Sequence, residues 1–408
     1  MRYLLFITFS LALFSQSLTA QVKTGIEVLK ESGFAALKGK RVGLLTNPTG
    51  VDKNLKSTVD ILFEAEGVNL TALFAPEHGV RGNEYAGAKF ANSKDKRTGL
   101  PVFSLHGKTK KPTAEMLKNV DVIVYDIQDI GCRSYTFISS LGLLMEAAAE
   151  NGKEVVVLDR PNPLGGEKVE GPIVEPKYTS FISQFPIPYI YGLTCGELAT
   201  MLNEEGMTAK KCSLTVVKME GWKRDMTYKE TGLKWVLTSP HIPNMNTSFY
   251  YPLSGIVGEL SVLSVGVGYT MPFELFGASW ANADTLASAM NALKLDGLLF
   301  RPIVYKPYYA FGKGELLQGV QVYITDFEKA KLTEVQFYVL QELKKLYPQK
   351  DFFTLSGQKN CRSFDYVCGS GQVRSLFSKN YQFKDVEKFW RKDNEAFKSK
   401  SKKYWLYK

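Results

Sequence analysis

The chain has 408 residues, 45% of them hydrophobic and 12% aromatic, and its 51 Lys and Arg against 41 Asp and Glu set a formal net charge of +10. That is apolar material for large cores and more chain than one ordinary domain holds, which predicts two domains. Five cysteines at scattered spacings fit neither a disulfide framework nor a zinc site, and a multi-histidine metal centre would have to gather His78, His106 and His241 from distant segments.

At the N-terminus, Arg2 precedes the apolar residues 3–14 and then Ser15-Gln16-Ser17-Leu18-Thr19-Ala20-Gln21, which reads as a signal peptide, residues 1–20, cleaved after Ala20. Its apolar core falls short of the roughly 20 residues that span a bilayer. An exported protein, periplasmic or extracellular and without stable membrane insertion, is the expectation. Strand-like runs follow at residues 41–45, 70–75, 120–125 and 154–158, alternating with helical stretches at 57–67, 113–119 and 135–151. In the last of these, Phe137, Leu141, Leu144, Met145 and Ala148 recur at helical spacing, and Gly152 closes it. Strand, helix, strand in this rhythm predicts an α/β fold with a parallel sheet covered on both faces. Right-handed crossovers then bring all the strand C-terminal ends to one edge, where open α/β sheets bind ligands.

Each of the four strand-like runs ends in a polar loop: Thr46-Asn47-Pro48-Thr49-Gly50, Ala75-Pro76-Glu77-His78-Gly79-Val80-Arg81-Gly82, Asp126-Ile127-Gln128-Asp129-Ile130-Gly131, and Asp159-Arg160-Pro161-Asn162-Pro163. Beyond them, Pro240-His241-Ile242-Pro243-Asn244 breaks the chain, and Phe249-Tyr250-Tyr251-Pro252 leads into a Gly-rich stretch ending at Gly268. A helix near 284–293, a strand at 320–325, a long helix at 331–346 and a basic C-terminal helix suggest a second α/β unit, with the boundary near Thr247. Lys398-Ser399-Lys400-Ser401-Lys402-Lys403 reads as a solvated helix face and tail rather than a site for polyanions, and no nucleic-acid module surrounds the basic residues.

Glu77 is either a general acid, its carboxyl made less acidic by partial desolvation, or a brace paired with Arg81. His78 is a proton-transfer partner, a substrate donor or a structural imidazole. Asp126, Gln128 and Asp129 suit sugar hydroxyls, and Arg133, which with Tyr135 follows them, suits a substrate carboxylate through a bidentate contact. The structural alternative is an internal Asp126–Arg133 pair with helix capping by Asp129 or Ser134. Arg160 and Asn162 either hold substrate or belong to a rigid proline turn. The first loop lacks the glycines of a dinucleotide site, and neither a nucleophile elbow nor a phosphate-binding loop is present. The expected site therefore carries no cofactor and no metal, and its carboxylates suit glycoside hydrolysis.

Residues 42–51, 74–82, 125–136 and 159–166 closely resemble the exo-β-N-acetylmuramidase (NamZ-like) family of peptidoglycan glycoside hydrolases. The likeness continues in Glu170-Gly171-Pro172, Gly192-Leu193-Thr194, Pro272-Phe273-Glu274, Gly319-Val320-Gln321 and Phe364-Asp365. It implies a Rossmann-like catalytic domain over residues 21–247 and a smaller α/β domain over 248–408 that closes the cleft. It further implies release of terminal N-acetylmuramic acid from the non-reducing end of peptidoglycan fragments, with Glu77 as the leading catalytic residue; His78, next to it, is expected to be catalytic as well. Asn47, Arg81, Asp126, Gln128, Asp129, Arg133, Tyr135, Arg160, Asn162 and Glu259 are the expected substrate-binding residues, with Arg133 or Arg160 facing the lactyl carboxylate. The chain departs from the family where a Glu-Gly-Thr-Asn and Ser-Glu-Gly-Arg-Gly-Thr run becomes Glu259-Leu260-Ser261-Val262-Leu263-Ser264-Val265-Gly266-Val267-Gly268-Tyr269-Thr270, and where a His before Gly192 becomes Tyr191. If the first of these segments faces the cleft, its lost charges favour a second reading, a re-specialised or non-cleaving muropeptide-binding homologue.

Overall fold

The computed structural model of the protein describes residues 21–82, 87–88 and 90–408. The expected signal peptide, residues 1–20, lies outside them. The first half is built on seven strands: β1 (Arg41–Thr46), β2 (Asn69–Ala75), β3 (Ser93–Lys94), β4 (Pro101–Ser104), β5 (Val122–Asp126), β6 (Glu154–Leu158) and β7 (Ser213–Val217), in the spatial order β3-β4-β2-β1-β5-β6-β7. All neighbours run parallel except the short edge strand β3. Without β3 the order is that of doubly wound dinucleotide-binding sheets, and its direction reverses beside β1, where Leu45 pairs with Tyr125 and Thr46 with Asp126.

The central strands are buried along almost their whole length because both faces are covered. Leu44, Leu73, Val124 and Val156 point to one face, which carries α1 (Gly25–Glu31) and α2 (Thr58–Glu64). Leu45, Phe74, Tyr125 and Val157 point to the other, under α3 (Phe137–Glu150) and α4 (Cys195–Glu204). Residues 113–119, expected to be helical, form a series of turns instead. Under two turns long, with Leu117 the only residue in the stretch that is fully buried, they offer no apolar stripe to hold a helix.

The second half begins with α5 (Met245–Gly258), capped by the Asn244 side chain and carrying Pro252 inside it, so Thr247 falls in the first turn of a helix. A three-stranded antiparallel sheet follows, β8 (Leu275–Ala278), β9 (Leu298–Tyr305) and β10 (Leu317–Ile324), with β10 in the middle. It is backed by α6 (Ala283–Ala292) and α7 (Val335–Leu346), and by α8 (Phe352–Cys368), which is kinked at Gly357. Helices α9 (Gly371–Asn380), α10 (Lys384–Arg391) and α11 (Asn394–Ser401) complete it. All five cysteines carry free thiols. No described helix is long and apolar enough to cross a membrane.

The halves are joined by polar clamps over a shared apolar core in which Ile130, Cys132, Leu164 and Tyr189 pack with residues of the second half. Buried Glu170 accepts hydrogen bonds from the backbone N–H groups of Leu332 and Thr333 and from the Thr333 hydroxyl at the head of α7. The end of the chain crosses back to the first half. Tyr407 donates to Asp159 Oδ2 at 2.6 Å, Leu406 N–H to Glu197 Oε1 at 2.9 Å, and Arg224 N–H to the Lys408 carbonyl at 3.0 Å. The basic run before it is no free tail: Lys398 pairs with Glu167 at 2.7 Å, while Lys400 and Lys403 pair with Glu205 at 2.7 and 2.6 Å.

Candidate active site

The loop after β2 closes as a turn in which Gly79 N–H donates to the Pro76 carbonyl at 3.0 Å. Glu77 and His78 occupy its two central positions, and His78 has φ 73°. Such a turn calls for glycine or asparagine at its third residue, and an imidazole there costs of order 1 kcal/mol or more. Beside it Glu77 is half-buried, with its side chain 26% exposed. Glu77 Oε1 accepts from Gly87 N–H at 2.8 Å and lies 4.0 Å from His106 Nε2. The loop packs on its neighbour after β1, and a Cβ on Gly82 would stand 2.7 Å from Pro48 Cγ.

Arg81 does not brace Glu77. It forms a fork with Asp95 at 2.9 and 3.1 Å and reaches Asp60 at 3.2 Å. Asp126 pairs with Arg160 rather than Arg133, at 2.5 and 2.9 Å, and takes the Thr58 hydroxyl at 2.5 Å, which pins the ends of β5 and β6 to α2. Arg160 also donates to the Val51 carbonyl. Arg133 is wholly buried and donates to the carbonyls of Pro172, Ile187 and Val367 at 2.8, 2.6 and 2.8 Å, so its guanidinium ties the two halves together instead of facing a ligand. Burial lowers its pKa to about 10. Gln128 donates to the carbonyls of Asp129 and Pro161, and Asn162 bonds Leu193 O and Leu164 N–H, which makes both of them turn supports. Neither Asp129 nor Ser134 caps α3, whose N-cap position is Thr136.

Two polar atoms in these loops have no hydrogen-bond partner among the described residues. Asn47 Oδ1 accepts from the Thr49 N–H and hydroxyl, leaving Nδ2 unpaired. Asp129 Oδ2 accepts from Gly131 N–H at 2.7 Å and from the Tyr191 hydroxyl at 2.5 Å, leaving Oδ1 unpaired. A donor and an acceptor thus stand on the two loops flanking the point where strand order reverses, the pairing a hydroxyl or an acetamido group requires. Tyr191, the replacement for the family's His, serves here as a partner for Asp129.

Burial raises the Asp129 pKa to about 6 against these two hydrogen bonds. An acid whose pKa is higher folded than unfolded binds its proton more tightly in the fold, so its stabilising share is complete at low pH and is lost as pH rises through 6. Between about pH 4 and 6 that share is about 3 kcal/mol. Asp159, raised to about 6 by the same burial, adds a parallel slope. Urea unfolding at a series of pH values is expected to show stability falling across this window, with Asp129→Asn flattening the Asp129 portion only. Identical slopes in both proteins would contradict the assignment.

The opposite wall comes from residues 238–241 and α5, which composition alone did not single out. Tyr135 donates to the Thr238 hydroxyl at 2.7 Å and meets the Tyr251 ring edge-on at 5.8 Å, and Ser134 Oγ is 3.1 Å from the Tyr251 hydroxyl. The His241 pKa is lowered by burial first and by the charge of His78 second. A histidine held between two prolines in a break was the available signal. Glu259 ends α5, half-buried, with its pKa raised by burial. Of the replaced segment, Val262 and Val265 do not face the cleft. They are 7% exposed and belong to the second core, because Ser264 pairs through its backbone with Gly277 and turns its neighbours inward. Asn47, Asp129 and Tyr135 thus stand at the strand ends, Glu77 and His78 on the neighbouring loop and Glu259 at the end of α5, while Arg81, Asp126, Gln128, Arg133, Arg160 and Asn162 hold the loops. No described cluster of three or more His, Cys, Asp or Glu side chains is arranged to hold a metal ion.

Residues 42–246 match the N-terminal domain of exo-β-N-acetylmuramidase NamZ and residues 249–407 match its C-terminal domain. The peptidoglycan β-N-acetylmuramidase NamZ of Bacillus subtilis (strain 168) is 44% identical over 387 residues, 95% of this chain and 92% of its own length. A crystal structure of a DUF1343 family protein from Bacteroides fragilis NCTC 9343 superposes with a TM-score of 0.92 at 58% identity, covering 95% of this chain and 99% of that one. A second DUF1343 family protein from that bacterium gives a TM-score of 0.74 at 29% identity over the same shares.

Proposed function

The chain belongs to the exo-β-N-acetylmuramidase NamZ family, and from that premise we propose that it releases terminal N-acetylmuramic acid from the non-reducing end of peptidoglycan fragments, with Glu77 as acid/base. The observation that supports this reading is the strained turn at the end of β2, where a histidine with φ 73° stands beside the half-buried carboxyl of Glu77. Strain of this kind persists where function requires the geometry.

In the reaction, the protonated Glu77 carboxyl gives its proton to the glycosidic oxygen as the bond to the anomeric carbon breaks. Water adds to that carbon, and its proton returns to the carboxylate. His78, next to Glu77 in the same turn, and His241, which feels its charge, are imidazoles available to move protons here. Asn47 Nδ2 and Asp129 Oδ1 are the groups for hydroxyl or acetamido substituents, with Tyr135 and Glu259 on the opposing wall. The reaction proceeds without metal or cofactor, and the protein acts outside the cytoplasm after loss of residues 1–20.

The test is mass spectrometry of products from defined oligosaccharides that end in either a muramyl or a glucosaminyl residue. Loss of one terminal sugar from the muramyl-ended set alone is expected. Binding without any product, or equal cleavage of both sets, would overturn the reading.

A further inference from the structure

We propose that a run of tyrosine rings leading out of the cleft forms the subsite for the glycan on the leaving-group side of the scissile bond. The inference rests on the function proposed above, because it takes its starting point from the Glu77–His78 turn. From there two sets of ring contacts lead outward, joined through the adjacent residues Tyr308 and Tyr309. His241, close enough to His78 to feel its charge, stacks on Tyr309 with ring centroids 5.9 Å apart at 26°. Its neighbour Tyr308 stacks on Tyr269 at 6.4 Å and 14°, and Tyr269 packs on Tyr305 at 5.2 Å.

Tyr305 is buried with Leu275 and Leu317 and Tyr269 packs against them, but the two outer rings do not behave as core. Tyr308 is 72% exposed and Tyr309 is 49% exposed, whereas a tyrosine serving only packing buries its ring. A pair of exposed aromatic rings beside a cleft, backed by buried rings, marks a ligand surface. Its backbone is also fixed in advance. Tyr308 N–H donates to the Gly268 carbonyl at 2.7 Å, and Gly268, at φ 90°, lies so close beneath that a Cβ there would stand 1.9 Å from the Tyr309 carbonyl oxygen. A rigid platform loses little freedom when a ligand lands on it.

The matching ligand is a neutral pyranose. Its axial C–H bonds form an apolar face that fits a tyrosine ring, while its equatorial hydroxyls stay in water. A terminal sugar seated beside Glu77 leaves the rest of its chain outside the cleft, and the strip that starts at His241 is where those rings are received.

The experiment compares a single-sugar aryl muramide with a muramyl-ended tetrasaccharide. Tyr308→Ala is expected to lower the ratio of the two kcat/KM values, long over short, about tenfold, the size of one lost ring stack. Tyr308→Phe, which keeps the ring, restores the ratio. An unchanged ratio in both Tyr308→Ala and Tyr309→Ala would overturn the subsite. If the wild-type protein cleaves neither substrate, the function proposed above fails while the platform is still read by calorimetric titration with N-acetylglucosamine tetramer. Binding that is lost in Tyr308→Ala supports the subsite, and no binding, or binding equal in both proteins, refutes it.

Discussion

Glu77→Gln is expected to lower the turnover of a muramyl substrate by about 10²–10⁴-fold, the usual contribution of a positioned acid/base group. The fold should survive the change. Glu77 is a quarter exposed, and the hydrogen bond it accepts from Gly87 N–H is one a glutamine oxygen also accepts. The strain of the turn resides in the His78 backbone, which the substitution leaves alone. Circular dichroism and a melting curve matching the wild type, together with a lost rate, would establish Glu77 as chemical rather than architectural. Undiminished turnover would remove it from the mechanism and shift attention to Glu259 on the facing wall.

Arg133→Met should have the opposite signature, with a stability loss of about 3 kcal/mol or more, since each buried acceptor left unpaired costs about 1–3 kcal/mol. Three carbonyls, on Pro172, Ile187 and Val367, lose their donors at once, and buried acceptors left unpaired are costly. Because Val367 belongs to α8 and Pro172 to the first half, the loss also loosens the joint between the halves. Denaturant titration measures the effect. Were Arg133 instead the partner of the lactyl carboxylate, the variant would keep its stability and lose only its preference for muramyl over glucosaminyl ends.

The contrast between these two residues shows what the sequence could reveal. Strands β1, β2, β5 and β6 are buried on both faces, so they read as unbroken apolar runs, and the loops at their ends were legible with them. Strand β7 was not, because it is the exposed edge and its burial is only partial. In the second half, β9 alternates buried and exposed residues beside a central strand, β10, that is buried on most positions, and only the latter stands out from composition. Within the site, the loop that carries Glu77 was visible because turn residues and charge crowd together there. The arginines were misleading for a physical reason. A guanidinium satisfied by a carboxylate, by backbone carbonyls or by a ligand is the same residue in sequence, and the choice among Arg81–Asp95, Arg160–Asp126 and Arg133 with its carbonyls is made by tertiary neighbours many positions away. Tyr251 was beyond reach because it meets Tyr135 and Ser134 only when the second half folds against the first, and Thr238 and His241 carried only the weak signal of a proline break.

The returning end of the chain bears on the order in which the molecule is assembled. Asp159 receives its Tyr407 hydroxyl from a residue 248 positions downstream, and Glu197 and Arg224 likewise take partners from residues 406 and 408. During synthesis, which runs from the N-terminus, the parallel sheet emerges long before these groups exist. It therefore reaches its final set of hydrogen bonds only once residues 406–408 have left the ribosome, so the domain that is synthesised first is completed after the second one has been made.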